Sequence, residues 1–165
     1  MSSNYPMTEL SMVVLLSFGV ATLFVTCAEG NNFDTCPLHW WSIPNERCVR
    51  VFPLRKTLKE AADICRLFES ELLSAGQELD ELQDYISPIA TSVAVSQLLL
   101  GVTDPWGTGV FLWLDGSLFD DSVWADHYPK PSGGRCAVFR TEERDLVNVH
   151  CTGNNAFICQ KSRGA

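Results

Sequence analysis

Gln97-Leu98-Leu99-Leu100-Gly101-Val102 and, after a break, Phe111-Leu112-Trp113-Leu114-Asp115-Gly116-Ser117 are the two stretches that decide the fold. The first is a short apolar run without helical spacing, which reads as a buried strand. Pro105, Gly107 and Gly109 then mark a loop. The second reads as another strand, closed by Asp115-Gly116, a hairpin-type turn signal. Downstream, Cys136-Ala137-Val138-Phe139 and Ala156-Phe157-Ile158-Cys159 read as late core strands. Residues 119–135 (FDDSVWADHYPKPSGGR), rich in Pro, Gly, Asp and Ser, read as a long irregular loop.

Upstream of these strands the texture is helical. In residues 57–68, Thr57 can serve as N-cap with Glu60 three positions on, a capping box. Ala61, Ile64, Cys65 and Phe68 share one face. A second helix is expected over 78–89, with Leu79, Leu82 and Ile86 inward and Pro88 limiting its end. Helices first and strands with long loops afterwards indicate an α+β domain with an antiparallel sheet.

The chain has 165 residues, enough for one domain with an appendage, and no linker, repeat or heptad tract follows residue 31. Lys+Arg is 12 against Asp+Glu 20, so the net charge is −8 with no basic run, which disfavours nucleic acid and anionic membrane surfaces as partners. Residues 12–25 (MVVLLSFGVATLFV) form an uncharged apolar run followed by small residues, which reads as a secretory signal peptide cut near Ala28 or Gly30. The rival reading is a membrane anchor, for which the run is short. The expected organisation is a leader over 1–28, a short segment over 29–35, the domain over 36–161 and a tail over 162–165. The mature chain is then secreted, with no membrane insertion.

Of seven cysteines, Cys27 falls in the leader. The remaining six are even in number and bound for an oxidising compartment, which points to three disulfides. No C-x-x-C pair is present, and His39, His127 and His150 have no zinc-ligand spacing to the cysteines. Spacing alone does not choose a pairing.

Taken in order, the mature residues resemble a C-type lectin-like domain of the long form, over nearly all of 36–161. Cys36-Pro37 with Trp40 and Trp41 is similar to the family's opening hairpin. The helix from Thr57 to Cys65 is similar to T-W-x-E-A-x-x-x-C, with Leu58 for Trp, and Glu71-Leu72 to the step after it. Leu99-Leu100-Gly101-Val102-Thr103-Asp104 resembles W-I-G-L with its T-D extension, and Phe111-x-Trp113-x-Asp115-Gly116-Ser117 resembles F-x-W-x-D-G-S. Trp124, Cys136, Cys151 and Phe157-Ile158-Cys159 follow in family order. The resemblance implies two helices packed on small antiparallel sheets, a long loop, and the pairing Cys36–Cys48, Cys65–Cys159 and Cys136–Cys151.

Relatives that bind sugar through calcium carry E-P-N or Q-P-D in the long loop and W-N-D before a core cysteine. Calcium takes roughly six to eight oxygen ligands, several of them carboxylates. Here the loop triplet is Tyr128-Pro129-Lys130, and the second aligns as Leu146-Val147-Asn148 before Cys151. Gly134 and Arg135 precede Cys136, where a ligand carboxylate often stands. One of the usual oxygens remains, and an ammonium sits where the cation belongs. The expectation is therefore no cofactor and no calcium at this site. Asp120, Asp121 and Asp126 read as a solvated acidic loop.

The binding residues expected are Trp106, Tyr128, Lys130, Arg135, Arg140 and Asn148, on or beside the long loop. Trp113 and Trp124 are expected in the core. There is no G-x-S-x-G, H-E-x-x-H or P-loop lysine, so no enzyme is expected. The resemblance implies a module that binds a glycan or microbial-surface ligand, or alternatively an extracellular protein.

Overall fold

The computed structural model describes residues 36–164. The expected leader over 1–28, its cleavage near Ala28 or Gly30 and the segment over 29–35 lie outside the described residues. The described part runs β1 (Trp41–Ile43), β2 (Arg47–Lys56), α1 (Leu58–Leu67), β3 (Glu71–Leu72), α2 (Leu79–Ser92), β4 (Gln97–Thr103), β5 (Leu112–Trp113), β6 (Cys136–Arg140), β7 (Asp145–Val149) and β8 (Asn155–Ser162). A single turn of 3-10 helix at Asp121–Val123 interrupts the long loop.

The strands form one continuous path, β1-β2-β8-β4-β6-β7, with β3 added to β8 and β5 to β4. One pairing departs from the antiparallel expectation: β4 and β8 run parallel, with Leu98 opposite Ala156 and Leu99 opposite Phe157. The cause is topological. The last strand returns to the middle of the sheet and lies antiparallel to β2, which sets its direction along β4.

Both faces of this central pair are covered, so its side chains divide between two cores by the two-residue period of a strand. Leu98, Leu100 and Ile158 join Leu79, Leu82 and Ile86 of α2. Leu99, Phe157 and Cys159 face the opposite way and join Ala61 and Cys65 of α1.

The capping box forms as the sequence indicates. Glu60 N donates to Thr57 Oγ1 at 3.4 Å, and Thr57 N donates to Glu60 Oε2 at 3.1 Å. Ala61 and Cys65 are buried, but Phe68 is not. It sits at the C-cap, tilted 5.4 Å from the Phe52 ring, with the Arg50 guanidinium 5.0 Å from its own. Helix α2 runs past its expected end to Ser92 with Pro88 inside it. Pro88 is on the exposed face, and the buried Ile89 and Ala90 keep the next turn docked.

Three disulfides join Cys36 to Cys48, Cys65 to Cys159 and Cys136 to Cys151, with Cα–Cα distances of 5.5, 5.6 and 5.1 Å. The second fixes α1 to β8, and the third ties the start of β6 to the segment after β7.

Candidate functional site

The segment from β4 to β6 runs from Asp104 to Arg135, touching the sheet at β5, and its two ends are tied to each other. Asp104 N donates to Arg135 O at 2.8 Å. The Arg135 side chain returns the contact, with Nε on Asp104 O at 2.8 Å and Nη2 on Pro105 O at 2.5 Å. Asp104 itself is 3% exposed, and its carboxylate accepts four backbone amides: Trp106, Gly107 and Thr108 on Oδ1 and Gly109 on Oδ2. Burial works to raise the pKa of this carboxyl, but the four amides outweigh it and hold it below the ordinary carboxylate value. The 104–109 turn is thereby wound around a buried anion.

The other wall is pinned by Asn148 on β7, 6% exposed. Its Oδ1 accepts from Lys130 N at 2.8 Å, and its Nδ2 donates to the carbonyls of Lys130 and Gly134, both at 2.8 Å. A Cβ on Gly133 would fall 2.5 Å from Asn148 Oδ1, so only glycine lets the chain cross there. The Tyr128–Pro129 peptide is cis, and Lys130 Nζ lies 4.5 Å from the centre of the Tyr128 ring.

Beneath the loop, Phe111, Phe119 and Trp124 pack with Trp113. Phe111 meets Trp124 edge-on at 4.8 Å, and Phe119 lies 5.2 Å from Trp124 and 5.6 Å from Trp113. Trp113 is buried and donates Nε1 to Gly76 O at 3.0 Å. Trp124 is half-buried and donates to Asp121 Oδ1 at 3.2 Å. These rings prop the loop from below. Asp120 accepts from Ser122 N at 2.9 Å, so two of the loop's aspartates serve turn and ring contacts.

Between the two walls opens a groove of about 850 Å³. Of the residues expected at a binding site, Lys130, Arg135 and Asn148 line it. Trp106 and Tyr128 each adjoin lining residues in the chain, the first largely exposed and the second half-buried. Arg140 lies outside the lining, its guanidinium closed on Asp145 by Nε and Nη2 at 2.6 Å each. That carboxylate raises the Arg140 pKa above its ordinary value. The groove also takes in Thr108, Ser132, His150 and Thr152, none expected as a group because they come from separate segments. The role of Asp104 had one sequence signal, an aspartate followed by Pro105 and Gly107, which is turn chemistry.

The residues around Pro129 do not fit a calcium ion. The set offers a phenol, an ammonium and one amide, and the amide oxygen is already occupied by Lys130 N. Among the described residues no group of three or more His, Cys, Asp and Glu is placed to hold a metal.

Residues 54–161 match the family described as "Lectin C-type domain". Snaclec rhodocetin subunit delta of Calloselasma rhodostoma is 28% identical over 128 residues, covering 76% of this chain and 98% of that protein. Snaclec crotocetin of Crotalus durissus terrificus is 22% identical over 149 residues, covering 90% and 96%. The solved structure of human lithostathine superposes with a TM-score of 0.71 at 17% identity, over 80% of this chain and 94% of that one. With the helices, the mixed sheet, the three disulfides and the long loop in place, the chain belongs to the C-type lectin domain family.

Proposed function

We propose that this is a secreted, non-enzymatic recognition module that binds a glycan or microbial-surface ligand in the long-loop groove without calcium. Domains of this family bind glycans or proteins. The observation that carries the metal-free reading is the occupation of Asn148: its Oδ1 accepts from Lys130 N and its Nδ2 donates to Lys130 O, so the one amide of the triplet serves the loop's main chain. The groove offers exposed hydroxyls at Thr108, Ser132 and Thr152, the kind of group that meets sugar hydroxyls. An N-terminal leader and six paired cysteines support an extracellular site of action.

The test is a glycan array probed with the mature protein in EDTA and again in millimolar calcium. Equal binding in the two conditions supports the reading, and binding abolished by EDTA overturns it.

A second reading, a protein partner, is favoured by the apolar side chains the long loop leaves in solvent. Trp106, Val110 and Leu118 are 67%, 56% and 70% exposed. One relative is named as a subunit of an assembly. Absence of binding to every glycan on the array selects this reading over the first.

A further inference from the structure

The charge of the groove is opposite to that of the chain. Acids outnumber bases 20 to 12 in the whole sequence, yet the groove lining carries the two bases Lys130 and Arg135 against the single acid Asp104. Asp104 is turned away from solvent, and both of its oxygens are taken up by backbone amides. It offers a ligand no open acceptor.

The state of the other cations sharpens the contrast. Arg47, Lys56, Lys59, Arg66, Arg140 and Arg144 stand in ion pairs, Arg50, Arg55, Lys161 and Arg163 make none among the described residues, and none of these ten lines the groove. Lys130 and Arg135 make no ion pair among the described residues. Arg135 is also held in place. Its Nε and Nη2 are fixed on carbonyls, while Nη1 points along the Gly107 side of the groove, 3.7 Å from where a Cβ on that glycine would stand. A guanidinium fixed on one edge and open on the other is pre-organised for an oxyanion. Lys130 approaches from the opposite wall, its main chain held by Asn148 and its ammonium 4.5 Å from the centre of the Tyr128 ring.

Building on the glycan reading, we propose that the groove takes an anionic saccharide. Its sulfate or carboxylate group sits between Lys130 and Arg135, with His150 beside them. Sugar hydroxyls reach Thr108, Ser132 and Thr152. Sulfate esters and sugar carboxylates share the chemistry this arrangement recognises.

The experiment is surface-immobilised binding of the mature protein, in EDTA, to dextran sulfate, polysialic acid and unmodified dextran. Three proteins are compared: the wild type, Lys130→Glu and Arg55→Glu. Arg55 is exposed and lies outside the groove, so it carries the same charge change without touching the site. The wild type should hold one or both anionic polymers and not dextran, with the preferred polymer identifying the anion. Lys130→Glu should weaken that binding by roughly tenfold or more, the scale of a charge-assisted contact, while Arg55→Glu leaves it near the wild-type value. Arg135→Lys, which keeps the charge and loses the fork, should weaken it as well. Equal losses in Lys130→Glu and Arg55→Glu would reduce the effect to net charge and overturn the proposal. Binding of neutral sugars with no preference for charged ones overturns this inference but leaves the glycan reading standing. Failure to bind any saccharide removes both.

Discussion

Asn148 and Lys130 are joined by a closed pair of hydrogen bonds, Lys130 N to Asn148 Oδ1 and Asn148 Nδ2 to Lys130 O, each 2.8 Å. A side chain on a core strand thus fixes the main chain of a loop that lines the groove. Asn148→Ala removes three hydrogen bonds at a buried position and leaves loop carbonyls unpaired. The expected loss is about 1–3 kcal/mol in urea unfolding, with faster amide exchange at Lys130 and weaker ligand binding. Unchanged exchange at Lys130 would show that the loop is held by something else.

Asp104 should make the protein acid-sensitive. Its folded pKa is lower than its ordinary value of 3.8, as are those of Glu60, accepting from Thr57 N, Asp63, beside Lys59, and Asp120, accepting from Ser122 N. A group whose pKa is depressed by folding stabilises the fold fully above its unfolded pKa, and that contribution is lost as pH falls through the folded value. The urea midpoint should therefore be level from neutral pH down to about pH 5 and fall steeply below about pH 4. Asp104→Asn should be less stable than wild type at pH 7, with the gap narrowing in acid. A gap that stays constant across the titration would contradict the role given to the four amides.

Gly134 crosses close to the strand it faces. Its φ is 101°, and a Cβ there would collide with the backbone of Val149 and His150. Gly134→Ala meets both an unfavourable backbone region and a backbone contact that cannot yield. A loss of about 1–3 kcal/mol is expected, with the groove distorted at Asn148. A variant of wild-type stability and wild-type ligand affinity would refute this.

The Cys65–Cys159 bridge spans 94 residues and joins α1 to the central strand. Replacing both cysteines by alanine should lower stability by roughly 2–5 kcal/mol, because the unfolded chain regains the freedom of a long loop. The Cys36–Cys48 bridge spans only 12 residues, and its removal should cost less, as measured by denaturant midpoint.

How much of this was legible in the sequence depended on whether a signal was local. The Thr57–Glu60 capping box and the inward face of α2 follow from spacing and stand in the structure; of the two tryptophans expected in the core as large aromatics, Trp113 is buried and Trp124 half-buried. Strand β2 has no such signature. Its first half is buried at Cys48 and Val49 and again at Val51 and Phe52, while its second half, Pro53 to Arg55, is exposed, so neither alternation nor a continuous apolar run marks it. Leu146-Val147-Asn148 aligns with a metal-ligand triplet, and the structure has there the strand β7, whose asparagine serves the loop. Phe68 kept helical phase with the buried residues but fell at the cap, beyond the turn that α1 buries. Arg140 and Arg135 look alike in sequence. Only the fold shows that Arg140 meets Asp145, while Arg135 closes the base of the long loop.

The most direct test of the account is a calorimetric titration of calcium into the mature, disulfide-intact domain, paired with a thermal melt. The account predicts no saturable heat up to several millimolar calcium and the same melting temperature in calcium and in EDTA. A saturable site tighter than about 0.1 mM, with a melting temperature raised as a bound ligand requires, would contradict it.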